Sequence, residues 1–143
     1  MLFRSIKDPL RSKQLRQGLQ QLGEEGAIQV FNPVSGGSLM LGAIGQLQFE
    51  VVLHRLKSEY GVEARLEPCR FTIARWITCD DEAKLKKFID SEPLRIAYDV
   101  VGAPAFLVQY NSDLRVAQER VPDIQFHAMR EHSGRVFGAA PTL

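Results

Sequence analysis

The sequence predicts an α+β fold in which pairs of helices cover one face of an antiparallel sheet. Three observations carry this. Phe49, Val52, Leu53, Leu56 and Tyr60 recur at i, i+3, i+4, i+7 and i+11, a single apolar stripe on a helical period. Leu15, Leu19 and Leu22 make a second stripe of the same kind. Between and around them, short runs rich in β-branched and aromatic residues are bounded by glycine, proline and serine, as strands are.

Taken in order, residues 2–7 read as a strand with Phe3 and Ile6 as its core residues. Asp8 is placed to cap the first helix, and Pro9 stands where a first-turn proline is tolerated. The Leu15 stripe defines that helix, and Gly23 or Gly26 ends it. A mid-helix glycine costs about 1 kcal/mol relative to alanine, so Gly18 marks either a close approach to a neighbouring surface or a tolerated defect. Residues 27–33 and 39–44 read as strands joined through Gly36 and Gly37. The helix at 46–60 ends at Gly61, where a left-handed cap is expected, and Val62, Ala64 and Leu66 then alternate as a half-buried strand over 62–68.

This completes β-α-β-β-α-β, the ferredoxin-like split order, with two helices on one face of a four-stranded antiparallel sheet. The same order recurs as a strand at 71–79, a helix at 80–92, strands at 94–100 and 105–110, a helix at 111–121 and a strand at 124–129. Asn111 or Ser112 is the expected N-cap of the last helix. The halves share no residue pattern, so the order of elements repeats and the sequence does not. With no Pro/Ser-rich linker between them, halves at about 1–68 and 69–132 are expected to form one unit, with two sheet layers or one extended sheet. The small-residue stretch 133–143 reads as a flexible tail.

Composition narrows the function. Of 143 residues, 45% are hydrophobic and 24% charged, which argues for a packed globular core and against disorder. No apolar run approaches the ~20 residues of a membrane span, and no signal-peptide core follows Met1. Cys69 and Cys79 stand nine residues apart, and His54, His127 and His132 are scattered, which is not metal-ligand spacing. Two buried or half-buried thiols in a reducing cytoplasm fit better. Residues 1–20 carry Arg4, Lys7, Arg11, Lys13 and Arg16 against Asp8, a local balance of +4, while the rest of the chain balances at −3. A nucleic-acid-binding domain usually offers a broad basic surface, whereas this chain offers one basic edge.

Catalytic signatures are missing. Gly36-Gly37-Ser38-Leu39-Met40-Leu41-Gly42 lacks the lysine of a phosphate-binding loop and reads as a turn between strands. Asp80, Asp81 and Glu82 precede a helix carrying Lys84, Lys86 and Lys87, so they match its dipole and need no acid–base role. His127, Glu131 and His132 lack a nucleophile to serve. Trp76 has the opposite parity to Phe71, Ile73 and Ile77 on its strand. A sheet packed on both faces would bury it, and exposure would make it a partner contact.

Seven blocks carry a family resemblance: KDPLRSKQL at 7–15, QGLQQLGEEG at 17–26, GAIGQLQFEVVLHRLKSEYGVE at 42–63, VEA at 62–64, ARW at 74–76, LRVAQERVPDIQFH at 114–127 and REH at 130–132. Together they resemble the C-terminal domain of the bacterial peptide chain release factor 3 family, translational GTPases related in architecture to elongation factor G. The resemblance implies a non-catalytic, cytoplasmic ribosome-interaction and conformational-relay domain. The family's nucleotide-binding and β-barrel domains are expected upstream of Met1, as is its GTP/GDP site. The full factor is implied to bind the small ribosomal subunit, through RNA or a ribosomal protein, and to promote departure of the codon-reading release factor. No catalytic, cofactor or metal residue is assigned to this chain. The polar face of the first helix, Lys13, Arg16, Gln17 and Gln20, is either solvated or the ribosome contact, since such side chains make charge-assisted bonds to phosphate or protein. The alternative reading is a free-standing ferredoxin-like ligand-binding or regulatory domain, which requires a bounded small-molecule pocket.

Overall fold

The computed structural model describes residues 2–6 and 12–128, with backbone only at 3–6. Its elements are β1 (Leu2–Ile6), α1 (Ser12–Glu24), β2 (Gln29–Pro33), β3 (Met40–Gly42), α2 (Gln46–Tyr60) and β4 (Arg65–Pro68). The second half follows with β5 (Ile73–Thr78), α3 (Glu82–Ser91), β6 (Ile96–Tyr98), β7 (Pro104–Val108), α4 (Asn111–Arg120) and β8 (Gln125–His127). All twelve expected elements are present among the described residues. The strands are shorter than their apolar runs suggested. Val62, for example, is fully buried but precedes the paired part of β4.

One eight-stranded sheet runs in the order β4-β1-β3-β2-β6-β7-β5-β8, and every pairing is antiparallel. Each half contributes a 4-1-3-2 ferredoxin-like order, and the halves join edge to edge where Asn32 and Pro33 pair with Tyr98 and Ala97. Of the two arrangements open from sequence, the extended sheet is the one adopted.

That sheet is not flat. Phe31 on β2 and Trp76 on β5 lie three strands apart, roughly 14 Å in a flat sheet at ~4.8 Å per strand. Their ring centroids are 5.6 Å apart. The helix-free face therefore curls on itself, and Leu2, Phe31 and Met40 of the first half pack with Phe71, Trp76 and Leu107 of the second. Ala97 and Ala105, a register pair on the intervening strands, supply the small side chains that let the two aromatics meet. Trp76 is buried because this sheet is packed on both faces, which resolves its odd parity.

The convex face carries the helices in two separate cores. Leu15, Leu19 and Leu22 of α1 and Phe49, Val52 and Leu56 of α2 cover the first half. Leu53 lies only partly buried at the flank of its stripe. Phe88 of α3 and Leu114 and Ala117 of α4 cover the second half, around a cluster of Phe88, Phe106 and Phe126 rings.

The helix ends show why the chain turns where it does. Gly26, at φ 81°, ends α1, with its N–H on Gly23 O and the Ala27 N–H on Leu22 O, both 3.0 Å. Gly61, at φ 68°, ends α2, with its N–H on Lys57 O and the Val62 N–H on Leu56 O, both 3.1 Å. Asp81 caps α3 by accepting from the Ala83 and Lys84 amides at 2.9 and 3.3 Å, so this aspartate serves the helix as expected. The N-cap of α4 is Tyr110, without a side-chain cap bond, because Asn111 and Ser112 are already inside the first turn. The expected cap of α1 by Asp8, the core roles of Phe3 and Ile6, residues Glu131 and His132, and the tail at 133–143 lie outside the described residues or side chains. Cys69 and Cys79 are free and half-buried.

Gly18 marks a close approach. A Cβ there would stand 2.7 Å from Leu56 Cδ2 and 3.0 Å from the Tyr60 ring, so the glycine lets α1 cross α2 tightly. Overpacking a filled core costs ~1–3 kcal/mol, and better helix propensity returns at most ~1 kcal/mol. Gly18→Ala is therefore expected to lower stability by about 1 kcal/mol in chemical denaturation. A stabilised variant would show that the crossing is loose.

Candidate interaction face on helix α1

Burial of Leu15, Leu19 and Leu22 turns Lys13, Arg16, Gln17 and Gln20 outward, and all four are exposed. Among the described residues, neither Lys13 nor Arg16 forms an ion pair. Several basic groups elsewhere are engaged. Arg55 bridges Glu25 and Glu59 at 2.9 and 2.7 Å, Lys84 holds Asp123 at 2.7 Å, and Arg120 holds Glu92 at 2.7 Å. The hydrogen bond to Glu59, followed by that to Glu25, keeps the Arg55 guanidinium above its ordinary value, and the same contact holds Glu59 below the usual carboxylate range.

The four candidate residues do not form one site. Arg16, Gln17 and Gln20 line a cleft of about 530 Å³ between α1 and the second half, whose far wall is Tyr98, Asp99 and Val100. Lys13 lies one turn away, outside it. The Gln20 side-chain amide donates to Glu24 Oε2 at 3.0 Å and to Val100 O at 3.2 Å. It therefore ties α1 to the second half and is less available to a partner than Lys13 or Arg16. Gly23 seals the same junction, since a Cβ there would meet Val100 Cγ1 at 2.6 Å.

The wall facing α1 is the loop between β6 and β7, and the residue that builds it, Asp99, was not singled out by the sequence. Asp99 is buried and its backbone closes the turn, with N–H on Ala103 O and its carbonyl accepting from Gly102, both 3.0 Å. Its carboxylate Oδ1 accepts from the Val101 and Ala103 amides at 3.0 and 2.9 Å, and Oδ2 accepts from Trp76 Nε1 at 3.0 Å. Gly102 takes φ 83°, which a side chain would resist. The signal was present as Asp99-Val100-Val101-Gly102, an aspartate three residues before a glycine, which is turn chemistry. Reading β6 through to Val100 hid it.

His127 sits at the opposite edge, with Nε2 2.9 Å from Thr78 Oγ1. Partial burial holds its imidazole below the ordinary value, as befits a neutral hydrogen-bonding partner. Among the described residues, no group of three or more His, Cys, Asp or Glu side chains could hold a metal ion. No described helix is long and apolar enough to cross a membrane.

Residues 2–118 match the family described as class II release factor RF3, C-terminal domain. The chain belongs to that family. It is 66% identical over 134 residues to a peptide chain release factor 3 of Bordetella avium, covering 93% of the chain and 25% of that relative. It is 59% identical over 135 residues to that of Nitrosomonas eutropha, covering 94% of the chain and 25% of the relative. The chain thus spans about a quarter of the length of the curated relatives it matches.

The Asp99 contacts predict a specific stability profile. Asp99→Ala leaves the Trp76 indole and two loop amides without their acceptor and is expected to cost roughly 3 kcal/mol. Asp99→Asn keeps one acceptor oxygen and should cost about half as much by the same reasoning. Chemical denaturation of both variants tests this. A loss below about 1 kcal/mol for Asp99→Ala would show that water replaces the carboxylate.

Proposed function

We propose that this domain is a non-catalytic ribosome-docking and relay module of a peptide chain release factor working in the cytoplasm. The observation that carries this reading is the match to the release factor C-terminal domain over residues 2–118. Within it, Lys13 and Arg16 are exposed charges suited to phosphate or an acidic protein surface, with Gln17 beside them. The GTP chemistry of the factor belongs to the domains outside this chain, and so does any cofactor. Release of the codon-reading factor would follow from how the docked domain is held against those other domains.

The relay has a physical basis in the β6–β7 loop. A load on α1 reaches Val100 through Gln20 and the Gly23 contact. It reaches the concave core through Asp99 and Trp76. A partner bound to Arg16 would therefore press on the second half of the domain.

In the full-length factor, replacing Lys13 and Arg16 by glutamate should leave the fold intact, because exposed substitutions usually change stability by no more than about 0.5 kcal/mol each. Ribosome affinity should fall, most visibly at low salt, where phosphate contacts are strongest. Binding measured across a salt series checks this. Unchanged affinity with the fold intact would return the α1 face to solvent.

A further inference from the structure

We propose that the cavity between α3 and the segment following α4 is a small-molecule site for an amphiphilic organic monoanion, an apolar chain or ring system bearing one carboxylate. The cavity holds about 400 Å³, within the range of small-molecule sites. Its floor is Phe88 of α3 with Val121, Pro122 and Ile124. Phe88 and Ile124 are anchored in the second-half core, so the floor is held in place from beneath. Lys84, Lys87, Phe88 and Ser91 line it from one face of α3, being spaced i, i+3, i+4 and i+7.

Two ion pairs bound the cavity. Lys84 holds Asp123 and Arg120 holds Glu92, both at 2.7 Å, and all four residues line it. The pairs tie α3 to the segment after α4 at positions 84 and 92, about 12 Å apart at ~1.5 Å per helical residue. A helix or strand of another protein would have to break a pair to run through, whereas a small molecule fits between them. Charge sets the head group. The lining holds three cations, Lys84, Lys87 and Arg120, against two carboxylates, and the ion pairs account for all but Lys87. Lys87 forms no ion pair among the described residues. Ser91 Oγ already donates to Phe88 O at 2.7 Å, and the Val121 and Ile124 amides are bonded to Ala117 O and Val121 O at 3.0 Å. One unpaired ammonium above an apolar floor matches one carboxylate on an apolar body. The inference is independent of the ribosome contact placed on α1.

Heteronuclear NMR of the 143-residue chain, titrated with decanoate below its micelle concentration, tests the site residue by residue. Saturable amide shifts are expected at residues 84–92 and 120–124, with α1 and α2 unmoved. No saturable shift, or shifts spread over the whole surface, would overturn the proposal. Lys87→Glu should weaken binding roughly tenfold with the rest of the spectrum unchanged, because it replaces the only unpaired cation by a like charge. Lys86→Glu is the control, since Lys86 pairs with Asp90 at 2.9 Å outside the cavity, and it should leave the affinity unchanged. Equal losses from the two variants would reduce the effect to net charge and contradict a built site. Decyltrimethylammonium, an apolar chain with a cationic head, should not saturate the same amides. If it binds as tightly as decanoate, the cavity is a plain apolar contact surface for another protein and the proposal fails.

Discussion

The carboxylate of Asp99 is the interaction on which the arrangement of the two halves depends. Buried at the joint, it accepts from two amides of its own turn and from the Trp76 indole. A hydrogen bond to a buried carboxylate is stronger than one between neutral groups, and an N–H buried without an acceptor costs more than most single contacts contribute. The turn therefore has one conformation, and with it Val100 is fixed against α1. Remove the carboxylate and the loop loses its geometry, the indole its acceptor, and α1 its seat on the second half.

The rest of the architecture follows from joining two ferredoxin-like sheets edge to edge through β2 and β6. An extended sheet of eight strands would leave a long helix-free face in water. Curling buries that face on itself, and the alanines on β6 and β7 make room for the Phe31–Trp76 contact at its centre. The convex side keeps each half's helices on its own core, so among the described residues the halves communicate through the β2–β6 pairing, the shared concave core and the α1–Val100 junction.

Element order and the helix stripes were legible because each rests on local periodicity. Leu15, Leu19, Leu22, Phe49, Val52 and Leu56 all lie in the first core. Gly18 was legible as an anomaly, and its reason, the crossing with Leu56 and Tyr60, needed the tertiary structure. Trp76 broke the alternation because alternation assumes one wet face, and the sheet is packed on both faces at that position, the burial that the sequence reading allowed for. The candidate face on α1 was read from charge and amphipathicity. What charge could not reveal is that Gln20 is spent on an internal bond and that Lys13 stands outside the cleft. Asp99 escaped notice because a turn aspartate looks the same whether its carboxylate faces water or an indole 23 residues away in sequence.

Native-state amide hydrogen exchange at Ala103 tests the central claim, that this loop locks α1 and the concave core into one body. If the Asp99 carboxylate holds the turn, the Ala103 amide should exchange only through global unfolding. Its opening free energy and denaturant dependence should then match those of core amides such as Phe106 on β7. Exchange through a local opening, faster than the core and insensitive to low denaturant, would mean that the loop moves independently and that the joint is not rigid.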